Sequence, residues 1–284
     1  MIGFARRNLK VFFRDKTSVF FSLLAVLIII GLYVLFLGDI LETSMQDTPG
    51  ARYLMDTWIM AGMLAVTSLT TTMGAFGILV EDRVKKINKD FIASPMPASH
   101  RAGGYVLSSF AVGVIMSVAA AVLAQLYIAF ASGHWLAPLT LLKMFGLMLL
   151  SSFACTSMVL FLVSFFKSTN AFATASTIIG TMVGFLAGIY IPIGQLPDAV
   201  QWVIKCFPVS HAAALFRQVM MADAMSASFA GAPESAVTDF EQLMGVTFRF
   251  GDAVVSPLAS VLILLGTAAV FFVLSMFSLS RKRA

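Results

Sequence analysis

The stretch Thr17-Ser18-Val19-Phe20-Phe21-Ser22-Leu23-Leu24-Ala25-Val26-Leu27-Ile28-Ile29-Ile30-Gly31-Leu32-Tyr33-Val34-Leu35-Phe36-Leu37-Gly38 runs for 22 residues without a charged side chain. A helix rises about 1.5 Å per residue, so roughly 20 apolar residues cross the ~30 Å hydrocarbon core of a bilayer. This stretch is long enough to do so, and the pattern returns along the chain. Thr57 to Val80 is uncharged over 24 residues, Met144 to Phe166 over 23, and Ser168 to Ala199 holds only Asp198. Charged residues make up 12% of the 284 positions and hydrophobic ones 59%, against about 25% charged in an ordinary soluble domain. The sequence predicts an all-α integral membrane protein, one domain over 1–284, with spans at 17–38, 57–80, 104–131, 140–166, 171–191 and 255–279. The first run exceeds the roughly 7–15 apolar residues of a signal-peptide core. No Ala-x-Ala site follows it, so it is expected to be a retained helix.

Six crossings put both termini on one side, and Lys and Arg choose the side, because cytoplasmic loops carry an excess of them. Fourteen of the 19 fall on the face holding the termini: Arg6, Arg7, Lys10, Arg14, Lys16, Arg83, Lys85, Lys86, Lys89, Arg101, Lys167, Arg281, Lys282 and Arg283. Arg52, Lys143, Lys205, Arg217 and Arg249 fall on the other. Both termini are expected in the cytoplasm, with the chain multi-pass in the cell membrane. The net charge of +5 is mostly this asymmetry and gives no reason to expect nucleic acid. Cys155 lies in a span and Cys206 in an outer loop, so no disulfide framework is expected.

Three segments outside the spans have character of their own. In 1–16, Ile2, Ala5, Leu9 and Phe12 recur at helical spacing with Phe13 beside them, and Arg7, Lys10 and Arg14 fall on another face. That is a basic amphipathic helix, suited to the inner headgroup layer. In 81–94, Val84, Ile87, Phe91 and Ile92 recur within a charged run, and Ser94-Pro95-Met96-Pro97 stops the helix. A short helix of this kind needs a partner or the membrane surface. On the outer side, Asp39, Glu42, Asp47 and Asp56 make an acidic first loop. The segment from Pro192 to about Val254 is the largest part outside the bilayer. Its start, 192–222, holds apolar pieces too short to cross, with a second short helix expected from Ser210 to Met221. They fit a re-entrant hairpin, which requires cover from protein or water. Asp223 to Asp252 reads as a small mixed loop.

Two spans carry polar stripes. The second has Thr67, Ser68, Thr70, Thr71 and Thr72, then Gly74 and Gly77, with Thr67, Thr71 and Gly74 on one face. The fifth has Asn170, Thr174, Thr177 and Thr181 in one stripe, continued by Gly184 and Gly188, while Gly180, Gly184 and Gly188 form two overlapping GxxxG pairs. Small residues let helices approach closely, and hydroxyls bond across helices or to their own backbone. The stripes indicate either a self-association face or the lining of a polar pathway. No Asp, Glu, Lys, Arg or His lies deep in a span, which disfavours ion-coupled transport, where such charges persist for function.

Catalytic signatures are missing. The sequence has no His-Glu-x-x-His, no Gly-x-Ser-x-Gly and no glycine-rich phosphate loop before Lys16-Thr17 or Lys167-Ser168. His100, His134 and His211 lie far apart in loops or at span ends. No enzymatic activity, metal or cofactor is expected on this chain.

Several segments in order resemble the membrane subunits of type-2 ABC exporters. The first is Arg7-Asn8-Leu9-Lys10-Val11-Phe12-Phe13-Arg14-Asp15-Lys16 leading into Phe20-Phe21-Ser22-Leu23-Leu24, similar to the family's connecting helix. The second is Glu81-Asp82-Arg83 through Phe91-Ile92-Ala93-Ser94-Pro95-Met96-Pro97, similar to its coupling helix. Lys85 and Lys86 stand there where a Gly-Thr pair is common. The third is Ile191-Pro192-Ile193-Gly194-Gln195-Leu196-Pro197 through Phe207-Pro208-Val209-Ser210-His211-Ala212, then Leu215-Phe216-Arg217, similar to the outer re-entrant hairpin before the sixth span.

The resemblance implies two membrane subunits, a homodimer or a related heterodimer, working with separate ATP-binding subunits that hold ATP and Mg. It implies ATPase coupling through Glu81, Asp82, Arg83, Lys86 and Phe91, and a substrate path lined by Thr67, Thr71, Asn170, Thr174, Thr177 and Thr181. Dimer packing would use Gly180, Gly184 and Gly188, and an outer gate Pro192, Pro197, Pro208 and His211. Membrane lipid would surround the dimer. The expected cargo is drug-like, lipid or otherwise amphiphilic. A membrane scaffold or immunity component that moves nothing, and an ion-coupled secondary transporter, are the alternatives.

Overall fold

The computed structural model describes residues 1–37, 48–93, 96–251 and 253–281. The acidic loop residues Asp39, Glu42 and Asp47, the Ser94-Pro95 stop, and Lys282 and Arg283 of the basic count lie outside the described residues. The chain is mostly helical: α1 (Ile2–Arg14), α2 (Lys16–Leu32, continued by a π-helical turn Tyr33–Leu37), α3 (Ala51–Val84), α4 (Asn88–Ala93), α5 (Ala98–Ser132), α6 (Pro138–Val163), α7 (Thr169–Leu186), α8 (Asp198–Cys206), α9 (Pro208–Met220), α10 (Ala222–Ser228), α11 (Glu234–Leu243) and α12 (Pro257–Arg281). Six of these, α2, α3, α5, α6, α7 and α12, are long and apolar enough to cross a membrane.

Local chemistry explains the boundaries. Asp15 caps α2, its carboxylate accepting from the N–H groups of Thr17 and Ser18 at 3.1 and 3.2 Å, and Ser168 caps α7 through the Ala171 N–H at 3.1 Å. Proline opens α6, α9 and α12, where its missing N–H has no partner to lose. At the end of α7, Gly188 sits at φ 64°. The Ile189 N–H reaches the Gly184 carbonyl and the Gly188 N–H the Phe185 carbonyl, both at 3.0 Å. This is a Schellman stop, which requires a left-handed residue at that position.

The helix α3 is the axis of the fold. Its 34 residues extend over about 51 Å, well beyond the hydrocarbon core. It packs on α2, α5, α6, α7 and α9, and 78% of its apolar window is buried, against 18% for α2 and 17% for α7. The core therefore gathers around Leu54, Trp58, Met60, Leu64, Leu69 and Phe76. Much of α2 and α7 is left to face lipid or another chain.

Three expectations are corrected. The 81–94 segment is not one helix: α3 continues to Val84, a turn intervenes, and α4 begins at Asn88. The break is at Lys86, whose φ of 60° no continuing helix permits. The helix at the start of the chain buries Phe4, Ala5, Asn8 and Phe12, while Ile2, expected on its apolar face, is exposed and Arg7 turns partly inward. The segment expected as a loop is structured over its described residues 223–251: α10, α11 and an antiparallel ribbon, β1 (Arg249–Phe250) with β2 (Ala253–Val254), pairing Arg249 with Val254 and Phe250 with Ala253.

Candidate functional site

Where α1, α3, α4 and α5 meet, one carboxylate organises the contact. Arg7 donates to Asp82 through both nitrogens, Nη1 to Oδ2 at 2.6 Å and Nη2 to Oδ1 at 3.1 Å, the two-pronged geometry that suits a guanidinium. The Tyr105 hydroxyl donates to the same Oδ2 at 2.6 Å. Arg7 also donates to the Asn8 side-chain oxygen Oδ1 at 3.0 Å, and the Asn8 side-chain amide donates to the Ser108 hydroxyl at 3.3 Å. The hydrogen bond from Arg7 to Asp82 raises the guanidinium pKa above its ordinary value. Aromatic rings close the cluster: Phe4 meets Phe91 and Tyr105 edge to face at 4.9 and 5.0 Å, and Arg7 lies 5.3 Å from the Phe91 ring centre. Arg101 ties the turn after α4 by donating to the Phe91 and Met96 carbonyls at 3.0 and 2.8 Å.

This placement sorts the five expected coupling residues. Glu81 and Lys86 are exposed. Asp82, expected to take part in ATPase coupling, is 3% exposed and fully engaged inside the protein. Arg83 donates to the Val163 carbonyl at 3.1 Å, bracing α3 against the end of α6. Phe91 is half-buried against Phe4 and Arg7. The open surface at this end is supplied by Glu81, Val84, Lys85, Lys86 and Lys89.

Above this surface a groove runs along α3 between α2 and α7. A cavity of about 480 Å³ has Phe21 and Ser22 on one wall, Thr70 and Gly74 on the floor and Ser176 and Thr177 on the other wall. A second cavity of about 450 Å³ shares Phe12, Ser18, Gly74 and Phe172 with it and extends to Asp15, Glu81 and Lys85. Gly74 adds no side chain to the floor, and a Cβ there would make an ordinary contact with the Ser22 hydroxyl at 3.6 Å. Each of these hydroxyls donates one turn back along its own helix: Ser22 to Ser18, Thr70 to Val66, Ser176 to Phe172 and Thr177 to Ala173, at 2.7, 3.1, 2.8 and 3.1 Å. With their protons committed, these oxygens offer acceptor lone pairs.

The expected path residues divide. Thr177 lines the groove. Asn170, Thr174 and Thr181 lie exposed on α7. Thr67 and Thr71 do not line it, which corrects their assignment. Both are buried, and they donate to the Met63 and Thr67 carbonyls, each at 2.7 Å. The groove residue on α3 is Thr70. The glycine face is corrected as well. Gly188 lies beyond the end of α7, and a Cβ on Gly184 would stand 2.3 Å from the Tyr190 ring of the same chain. Gly180 alone of the three has open space beside it.

At the far end of α3, about 36 Å from Asp82 by helical rise, Trp58 meets the segment that follows α7. Its indole donates to the Met244 carbonyl at 2.8 Å, and the Arg217 guanidinium lies 4.8 Å from its ring centre. Arg217 is 0% exposed. It donates to the carbonyls of Ala187, Gly188 and Gly245 at 2.8, 3.0 and 3.3 Å, and among the described residues no carboxylate pairs with it. Glycine is required around it: a Cβ on Gly188 or Gly245 would stand 2.5 or 2.6 Å from Ile193.

The expected gate residues are built into the same cap. Pro192 precedes a single 3-10 turn, Pro197 precedes α8, and Pro208 opens α9, which is bent 87° from α8. His211 is buried between the Lys205 carbonyl at 2.9 Å and the Ser260 hydroxyl at 3.1 Å. The carbonyl can only accept, which assigns the proton to Nε2 and leaves Nδ1 to accept from Ser260. Asp56 sits buried near this end of α3, bonded by Tyr127 at 3.2 Å and by Ser132.

Sequence reasoning gave no role to Arg217 or Tyr105 and did not pair Arg7 with Asp82. A lone Arg in the apolar run from Val209 to Met220 was the available indication. A pair 75 residues apart leaves no periodic trace. Among the described residues no group of three or more His, Cys, Asp or Glu is placed to hold a metal ion.

A family model described as ABC-2 type transporter matches residues 3–221, from the start of α1 to the end of α9. No curated protein matches the chain.

Proposed function

The chain belongs to the ABC-2 type transporter family, and from that premise we propose that it is the permease of an ATP-driven exporter, paired with a second permease and powered by separate ATP-binding subunits. The permease role is the family's; direction, pairing and cargo are our reading. The observation that carries it is the pair of neighbouring cavities along α3, which share Phe12, Ser18, Gly74 and Phe172 and together reach from Glu81 and Lys85 to the middle of α7 at Gly180. A structure that turns partner motion into transport needs a contact surface joined to a polar route, and the groove joins the two.

The exposed stripe supports pairing. Asn170, Thr174, Thr177 and Thr181 are open on α7, and polar groups facing hydrocarbon are costly unless another helix covers them. A second copy laid against α2 and α7 would cover the stripe and close the groove into a path. The acceptor oxygens of Thr70, Ser176 and Thr177, among Phe21, Phe172 and Met73, suit an amphiphile that brings hydrogen-bond donors. The exposed Lys85, Lys86 and Lys89 would meet the ATP-binding subunit in the cytoplasm. The Arg7–Asp82–Tyr105 cluster would make α1, α3 and α5 move as one body. The bent α8–α9 pair, with Pro192, Pro197, Pro208 and His211, would cap the outer end.

The test is reconstitution of the chain with its ATP-binding subunit in vesicles, followed by movement of a fluorescent amphiphilic amine. ATP-dependent movement that is lost in Gly74→Leu, which fills the groove floor, is the expected result. Movement unaffected by Gly74→Leu would contradict the groove as the path.

A further inference from the structure

Beside the buried Arg217 is a third cavity, of about 430 Å³, that the transport reading does not use. It lies between the end of α9, α10, α11 and the start of α12. Its walls combine apolar side chains, among them Met221, Met225 and Val254, with Arg217, Gln218 and Glu241. Two polar atoms beside it are buried without a partner. The Arg217 Nε–H is one, on a guanidinium whose other nitrogens are spent on three carbonyls. The Gln218 Oε1 is the other, while its amide nitrogen donates to the Val246 carbonyl at 2.7 Å. Such atoms cost about 1–3 kcal/mol each when left unpaired, so a molecule that paired with them would gain from doing so.

The chemistry of that occupant follows from the wall. A guanidinium with a free N–H and no carboxylate partner calls for an anionic acceptor, and a phosphate oxygen is the strongest common one. A free amide oxygen together with the Glu241 carboxyl calls for a cationic donor. Burial raises the Glu241 pKa, opposed by its hydrogen bond from Thr247, which is the state a nearby ammonium would relieve. The apolar wall beside these groups suits an acyl or glycerol segment. Pro257 begins the last membrane-crossing helix and also lines the cavity, which sets the cavity at the level where such a helix enters a bilayer. We propose that this cavity is a binding site for an aminophospholipid headgroup, with the phosphate on Arg217 and the primary ammonium between Gln218 and Glu241. The proposal does not depend on export, and it is tested on the permease chain alone.

Trp58, stacked on Arg217, provides the readout. Trp135 and Trp202 are 70% and 61% exposed, so the full chain carrying Trp135→Phe and Trp202→Phe reports from Trp58. Purified in detergent, it is titrated with dihexanoyl-phosphatidylethanolamine, dihexanoyl-phosphatidylcholine, dihexanoyl-phosphatidylglycerol and free phosphoethanolamine. The expected result is a saturable change with the ethanolamine lipid. Binding should be about tenfold weaker for the choline lipid, whose methylated nitrogen cannot donate, and for the glycerol lipid. Phosphoethanolamine binding as tightly as the lipid would assign the site to the free headgroup and overturn the lipid source. Glu241→Gln, at a half-buried position away from the carbonyl network, should abolish the preference for ethanolamine over choline while leaving the fold intact. Arg217→Gln should weaken all phospholipids. If it fails to fold, Gln218→Leu takes its place and should weaken the ethanolamine lipid selectively. Absence of a saturable change, equal affinity for the three lipids, or an unchanged preference in Glu241→Gln would each overturn the proposal.

Discussion

The two ends of α3 hold an arginine in opposite ways. At one, Arg7 is partly exposed and meets a buried carboxylate, Asp82, that a tyrosine also binds. At the other, Arg217 is wholly buried and, among the described residues, its guanidinium meets backbone carbonyls and an indole ring with no carboxylate. The first arrangement joins side chains of three separate helices through one ion pair and the hydrogen bonds from Tyr105 and Asn8. The second stitches the chain to itself at the turn after α7 and at Gly245, and opening it would strand a charge and three carbonyls together. The difference indicates a mechanical asymmetry: a contact that can transmit motion at the α1 end, and a rigid cap at the other.

Substitutions at the two ends should separate accordingly. The largest effect is expected from Arg217→Ala, which leaves the Ala187, Gly188 and Gly245 carbonyls without their donor. It should cost about 3–5 kcal/mol, seen as a collapse of the thermal midpoint in detergent. A midpoint close to wild type would remove the rigid-cap description. Asp82→Ala comes next, at about 2–4 kcal/mol, because Arg7 and Tyr105 both lose their acceptor. A double-mutant cycle with Arg7→Ala should give a coupling energy of about 1 kcal/mol or more, and strict additivity would mean that the pair contributes nothing. Gly188→Ala should cost about 1–3 kcal/mol, since alanine at φ 64° is strained and its Cβ meets Ile193. The smallest effect has the opposite sign. Lys86 adopts a similar φ of 60° in the open, so Lys86→Gly should be neutral or stabilising by up to about 1 kcal/mol, measured by the same melt. A loss of stability there would show that the Lys86 side chain holds the turn.

Hydrophobic length made the membrane class and the six long helices legible, because a run such as Thr17 to Gly38 has few other uses. Helix ends were less legible. A span counted by its charge-free residues stopped at Val80, whereas α3 runs on through Glu81, Asp82 and Arg83 because Asp82 and Arg83 find partners inside the protein. The threonines show a second limit. Thr67 and Thr71 on α3 and Thr174, Thr177 and Thr181 on α7 share residue type and spacing, yet the first set is buried and the second exposed. Periodicity shows which residues share a face, but not what that face meets. The folding of 223–251 was hidden because α10 and α11 are short and carry no long apolar stripe, drawing their order from contacts with α3, α9 and the turn at Ile193.

We propose above a permease driven from its α1 end by a separate ATP-binding subunit. Its most direct test is gentle affinity purification of the full chain from its native membrane, with the co-purifying proteins assayed for ATP hydrolysis. A phosphate-loop ATPase should accompany the wild type and be released by combined Lys85→Glu, Lys86→Glu and Lys89→Glu, while Thr174→Val keeps it. A chain that emerges alone, with no nucleotide-hydrolysing partner, would contradict the account.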